Sequence, residues 1–77
     1  MRFHFDIHDG AHRHEDLEGV ELPGLAHAYK EAVATAREIM AARLRAGEGL
    51  GREVFVVHDE TGRQVLTVPF RDTIPRD

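Results

Sequence analysis

The stretch Arg2-Phe3-His4-Phe5-Asp6-Ile7-His8 alternates without a break. Successive side chains of a strand face opposite sides, so Phe3, Phe5 and Ile7 share one face and His4, Asp6 and His8 the other. The first face needs a cover, and the rest of the chain is read for what supplies it. Asp9-Gly10 follows as a hairpin signal, because glycine takes positive φ without steric cost. A second extended segment is expected within residues 12–16. Glu18-Gly19-Val20-Glu21-Leu22 continues it after a bend at Gly19, with Val20 and Leu22 on the buried face.

From Leu25 the apolar spacing becomes helical. Leu25, Tyr29, Ala32, Val33, Ala36, Ile39, Met40 and Leu44 form one stripe, and His27, Lys30, Glu31, Arg37, Glu38 and Arg45 lie largely opposite. Gly24 stands at the N-cap without a side-chain oxygen for the free amides. The abundant alanines favour helix, and Arg37, Arg43 and Arg45 complement the dipole in its second half. The helix is about 22 residues and roughly 33 Å long. It stops at Gly47-Glu48-Gly49-Leu50-Gly51, expected to be the most mobile internal stretch.

Residues 53–58 and 64–70 read as two further strands joined by a turn at Asp59-Glu60-Thr61-Gly62, with Gly62 left-handed. Pro69 cannot donate a ladder hydrogen bond and belongs near a strand end or on an edge. The tail from Arg71 to Asp77 is expected to fray. The order β-β-α-β-β predicts an α+β domain over residues 1–77, a two-layer sandwich with one long helix on one face of an antiparallel or mixed sheet. Phe3, Phe5, Ile7, Phe55, Val57, Leu66, Val68 and Phe70 should meet the helix. Val54, Val56 and Val65 fall on the opposite face, which one helix cannot also cover. Part of that face is therefore expected to pack on a second copy of the chain.

Composition narrows the function classes. The chain has 77 residues, 14 acids, 10 bases and 6 histidines, for a net charge of −4. So small a domain buries only about 60% of the surface of its unfolded chain, and self-association is a common remedy. The acidic balance argues against a nucleic-acid module built on a broad basic surface. Protonating all six histidines would carry the charge from −4 to +2. There is no cysteine, hence no disulfide, thiolate zinc site or thiol chemistry, which fits the cytoplasm. The N-terminal residues read directly as a strand, so no signal segment is expected, and no apolar run approaches the roughly 20 residues that span a bilayer, so no membrane contact is expected.

His4, Asp6 and His8 are ordinary ligand types for zinc and related ions. Ligands at i and i+4 of a strand stand about 13 Å apart, so a site would need His58 or His14 from a neighbouring segment. No His-Glu-x-x-His or helical His pair is present. Imidazoles lined up on a solvated sheet face are the plainer reading. The chain contains no serine, and Thr35, Thr61 and Thr67 are placed in a helix, a turn and a strand without a base to serve. No enzyme activity is expected.

Several motifs resemble a known group: Phe3-x-Phe5-Asp6-x-His8-Asp9-Gly10, Glu18-Gly19-Val20-Glu21-Leu22-Pro23, an alanine-rich helix, Asp59-x-x-Gly62 and Thr67-Val68-Pro69-Phe70. They look like a family of short uncharacterised proteins, a domain of unknown function abundant in soil and plant-associated proteobacteria. That resemblance covers nearly the whole chain and implies fold, with no activity. A weaker similarity, through Leu22-Pro23-Gly24 and the helix after it, is to HicB-like antitoxins. It implies binding of a small basic protein partner. Taken together, the expectation is a small non-enzymatic protein-interaction module, homodimeric and without nucleic acid. Zinc or a similar ion on His4, Asp6, His8 and His58, or an antitoxin-type role, stand as alternatives.

Overall fold

In a computed structural model, which describes residues 1–76, the alternating stretch is strand β1 (Arg2–Asp9). It is followed by β2 (His12–His14), β3 (Val20–Glu21), helix α1 (Leu25–Arg45), β4 (Val54–His58), β5 (Gln64–Pro69) and a 3-10 turn, η1 (Phe70–Thr73). Every strand pairing is antiparallel, in the order β2-β1-β4-β5, with β3 also paired to β1. The sheet is open and carries α1 on one face, the expected α+β sandwich.

The outer edge of β1 is shared between two short strands. β2 pairs with Ile7–Asp9 and β3 with Arg2–Phe3. Asp16 fills the gap between them. Its carboxylate accepts the Phe5 amide at 2.9 Å and the Gly19 amide at 3.1 Å, while its own amide donates to Asp6 Oδ1 at 2.9 Å. A strand amide that would otherwise lie unpaired is thus satisfied by a side chain. Gly19 makes the turn into β3 at φ +76, and an added Cβ would lie 2.9 Å from the Phe3 carbonyl oxygen.

The helix meets the sheet along a narrower line than its sequence stripe. Its buried residues are Ala28, Ala32, Ala36 and Met40, four apart. Leu25, Tyr29 and Leu44, placed in the stripe from sequence, are 48%, 51% and 66% exposed. The alanines let the helix sit close on the sheet, and Leu25 and Leu44, in its first and last turns, stand outside the buried row. Beneath lie Phe3, Phe55, Val57, Val68 and Phe70, with Phe55 and Phe70 ring centroids 4.8 Å apart.

Val54 and Val56 fall on the face away from α1, opposite His8 and Asp6 of β1. Val65 does not join them. The pairing jumps from Val57–Leu66 to His58–Gln64, so Val65 is the extra residue of a bulge and packs against the core. The C-terminal segment also departs from expectation. Beyond β5 the chain does not fray but closes η1, where Phe70 and Thr73 are buried and Arg37 Nε donates to the Thr73 carbonyl at 2.8 Å. Asp77 lies outside the described residues.

After α1, Gly47 takes φ +79, and the Glu48 amide reaches back to the Arg43 carbonyl at 2.9 Å, closing the helix end. Glu53, just before β4, is buried to 2% exposure and pairs with Arg43 of the helix. A Cβ on Gly51 would collide with the Glu53 carboxylate, so the glycine segment packs tightly at its far end.

Candidate functional site

Two surfaces concentrate chemistry, one on each side of β1. On the face away from the helix, cross-strand pairing sets His4 opposite His58, Asp6 opposite Val56 and His8 opposite Val54. His4 Nδ1 donates to the Asp16 carbonyl at 2.8 Å. A carbonyl oxygen only accepts, so that nitrogen carries the proton and Nε2 is the open position of the neutral ring. His58 Nδ1 stands 3.5 Å from Asp6 Oδ2. His4, Asp6 and His58, with Glu15, Asp16 and Asp59 around them, line an open cleft of about 470 Å³.

His8 does not join this group. Arg13 donates to its ring at 3.1 Å, and the pair lines a neighbouring cleft of about 410 Å³ with Asp6, Val56 and His58. Of the four residues singled out from sequence as ligands, Asp6 and His58 line both clefts, while His4 lines only the first and His8 only the second. Among the described residues, no group of three or more His, Asp or Glu side chains is arranged to hold a metal ion. Asp59, on the rim of the first cleft, is committed elsewhere. Its Oδ1 accepts the Thr61 hydroxyl at 2.6 Å and the Thr61 and Arg63 amides at 2.9 and 3.1 Å. The Thr61 hydrogen bond is the main cause that holds its carboxyl below the usual carboxylate range.

The three valines offered as an interface also separate. Val56 is only 7% exposed within the single chain, Val54 is half-buried, and Val65 belongs to the core side. The face away from α1 is therefore less apolar at its surface than its sequence suggests. Histidine, aspartate and glutamine side chains stand around the central valine.

The second surface was not legible in the sequence. Helix α1 lies toward β5 and η1, and its other flank stands over β1 with a gap. Glu31, Thr35 and Ile39 of that flank face Phe5, Ile7 and Phe55 across a groove of about 320 Å³. Phe5, Ile7 and Ile39 are only half-buried. Val20 closes one end, and His14, Glu15 and Asp16 form the outer wall. Phe5 meets Phe55 edge-on at 6.0 Å, so the floor is a fixed aromatic pair. The one available signal was the change along α1 from buried alanines to Ile39 beside them. It locates a groove only once the strand order is known.

Among the described residues, no helix is long and apolar enough to cross a membrane. No curated protein and no solved structure matches the chain. A domain of unknown function, DUF6894, matches residues 2–71 and so takes in every strand, the helix and the first two residues of η1. The motifs that carried the sequence resemblance all lie inside that span, and the chain belongs to the DUF6894 family.

Proposed function

We propose that this domain is a non-enzymatic protein-interaction module whose contact surface is the groove between α1 and β1. The observation that carries the reading is the half-buried floor of Phe5 and Ile7, left open beside a helix that seals the other side of the core. Apolar side chains held at a groove by a packed core and walled by polar groups are the usual anatomy of a site that receives a partner's side chain. The non-enzymatic part rests on chemistry. The chain has neither serine nor cysteine, and the Thr61 hydroxyl beside the first cleft is committed to Asp59.

The test is affinity capture from native cell extract with three forms of the chain. Thr35→Arg places a long side chain in the groove at a helical position that tolerates it. His8→Ala alters the opposite face. A protein retained by the wild type and by His8→Ala but lost with Thr35→Arg supports the reading. Equal retention by all three forms would sink it.

A second reading, homodimerisation, has its own observation. Among the described residues β5 ends the strand order, which leaves its outer edge for strand addition by another copy. Pro69 withholds one donor from the end of that edge. Sedimentation at increasing concentration tests it, and a monomer mass throughout would remove it. Zinc on His4 and His58 is supported only by the open Nε2 of His4. Titration with zinc and reversal by EDTA should shift His4 and His58 resonances together if that reading holds, and leave them unmoved otherwise.

A further inference from the structure

The groove has an electrostatic character that goes beyond its apolar floor. Four carboxylates surround it or continue its rim. Glu15 and Asp16 stand on the outer wall and Glu31 on the helix wall. Glu38 is seven residues beyond Glu31, two turns along the same flank of α1, and is exposed as Glu31 is. Among the described residues no lysine or arginine pairs with any of the four. Two of the four helix cations are engaged elsewhere, and Lys30 and Arg45 are exposed and, among the described residues, pair with none of these carboxylates. Arg37 is bound to the Thr73 carbonyl on the opposite flank, and Arg43 is paired with Glu53. A second copy of a chain with net charge −4 would bring its own excess of carboxylates to this rim.

Resting on the interaction reading above, we propose that the groove receives a cationic, amphipathic protein segment. One apolar side chain of it would seat on Phe5, Ile7 and Ile39, and flanking lysines or arginines would meet Glu15, Glu31 and Glu38. The volume of about 320 Å³ is at the small end of the roughly 300 to 1,000 Å³ of ligand pockets, enough to seat a single large side chain. Apolar contact supplies the affinity, and the carboxylate rim selects against acidic partners and speeds encounter. Asp16 adds charge to the wall but not a mobile ligand, because its carboxylate is fixed by the Phe5 and Gly19 amides.

The chain provides its own reporters. It has three isoleucines, with Ile7 and Ile39 in the groove and Ile74 beyond η1 on the other side of the helix. Methyl-labelled protein is titrated with a helix-forming peptide of roughly 15 residues carrying leucines on one face and lysines on the other. A peptide with the same leucines and glutamates in place of lysines is the comparison. The lysine peptide should move the Ile7 and Ile39 methyl signals and leave Ile74 in place. Its affinity should fall about tenfold for Glu31→Lys combined with Glu38→Lys, and fall again as salt rises from about 50 to 300 mM. Glu48→Lys with Glu60→Lys changes net charge equally, away from the groove, and should cost far less. Equal affinity for both peptides, or equal loss in the two charge variants, would overturn the charge selection and leave the groove reading standing. Failure of both peptides to move Ile7 and Ile39, with the wild-type fold intact, would overturn both.

Discussion

The two flanks of α1 are made by one amphipathic helix yet end in different states. On the β5 side the chain returns as η1, buries Phe70 and Thr73, and binds Arg37 through the Thr73 carbonyl. Arg43 reaches down on the same helix to the buried Glu53. On the β1 side the returning residues His14, Glu15, Asp16 and Val20 form only a wall and one end of a groove. Glu31, Thr35 and Ile39 stand over Phe5 and Ile7 with a groove between them. The lesson is that closure here is decided by where the polypeptide comes back, not by the apolarity of the helix. Closed ground carries stability, and open ground leaves apolar side chains half-exposed to solvent.

That contrast makes graded predictions. The largest effect should come from Phe70→Ala on the closed flank, where the ring is fully buried against Phe55. Urea unfolding should show a loss of about 3–5 kcal/mol, the range for deleting a buried aromatic side chain. A loss under about 1 kcal/mol would mean that η1 is not part of the core. Arg43→Ala comes next, since it leaves Glu53 buried without its partner. About 3 kcal/mol is expected, the low end for breaking a buried pair, because a third of the Arg43 side chain remains in water. Replacing Arg43 and Glu53 together by methionine and leucine should recover much of that loss if the cost is the stranded charge.

Ile39→Ala, on the open flank, should cost only about 1 kcal/mol, below the usual range for a core isoleucine, because its side chain is half-exposed at the groove. A cost equal to that of Phe70→Ala would erase the distinction between the flanks. The smallest effect should belong to Asp59, far from both. Its carboxyl is held below the usual range chiefly by the Thr61 hydroxyl. A depressed folded-state value stabilises the fold above the unfolded-state value, and that contribution is lost as pH falls through the folded one. Asp59→Asn should therefore cost a little stability at neutral pH and nothing once pH is below the folded-state value, which flattens the acid limb of the profile. An unchanged acid limb in unfolding midpoints would show that the turn does not depend on the charged form.

Much of this fold was legible in local pattern. The Arg2–His8 alternation fixed β1 and its two faces to within a residue. Asp9-Gly10 and Asp59–Gly62 became turns, with Gly10 and Gly62 at φ 59 and 86. The helix begins at Leu25 as expected and runs 21 residues. Period and turn chemistry act over a few residues, so they survive in a one-dimensional reading. Errors began where a residue's fate depends on a distant segment. Leu25, Tyr29 and Leu44 were apolar and correctly phased, yet they stay exposed while the buried row runs only from Ala28 to Met40. Val65 lost its face to a single bulge. The C-terminal residues had no local signal for order, since η1 is held by Arg37, 36 residues away from its acceptor in Thr73.

The candidate site divides in the same way. Sequence periodicity by itself set His4, Asp6 and His8 on one face of β1 and Phe3, Phe5 and Ile7 on the other. It also set the chain's acidic balance and its lack of thiol and serine chemistry. Only the tertiary structure decided that His8 lines a different cleft from His4, that Asp16 closes the gap between β2 and β3, and that α1 leans toward β5. The physical reason is one of range. Backbone geometry dictates which way each side chain points from its own strand. Strand order, a bulge and the seat of a single helix dictate what it meets there, and those are settled by packing between segments far apart in the chain.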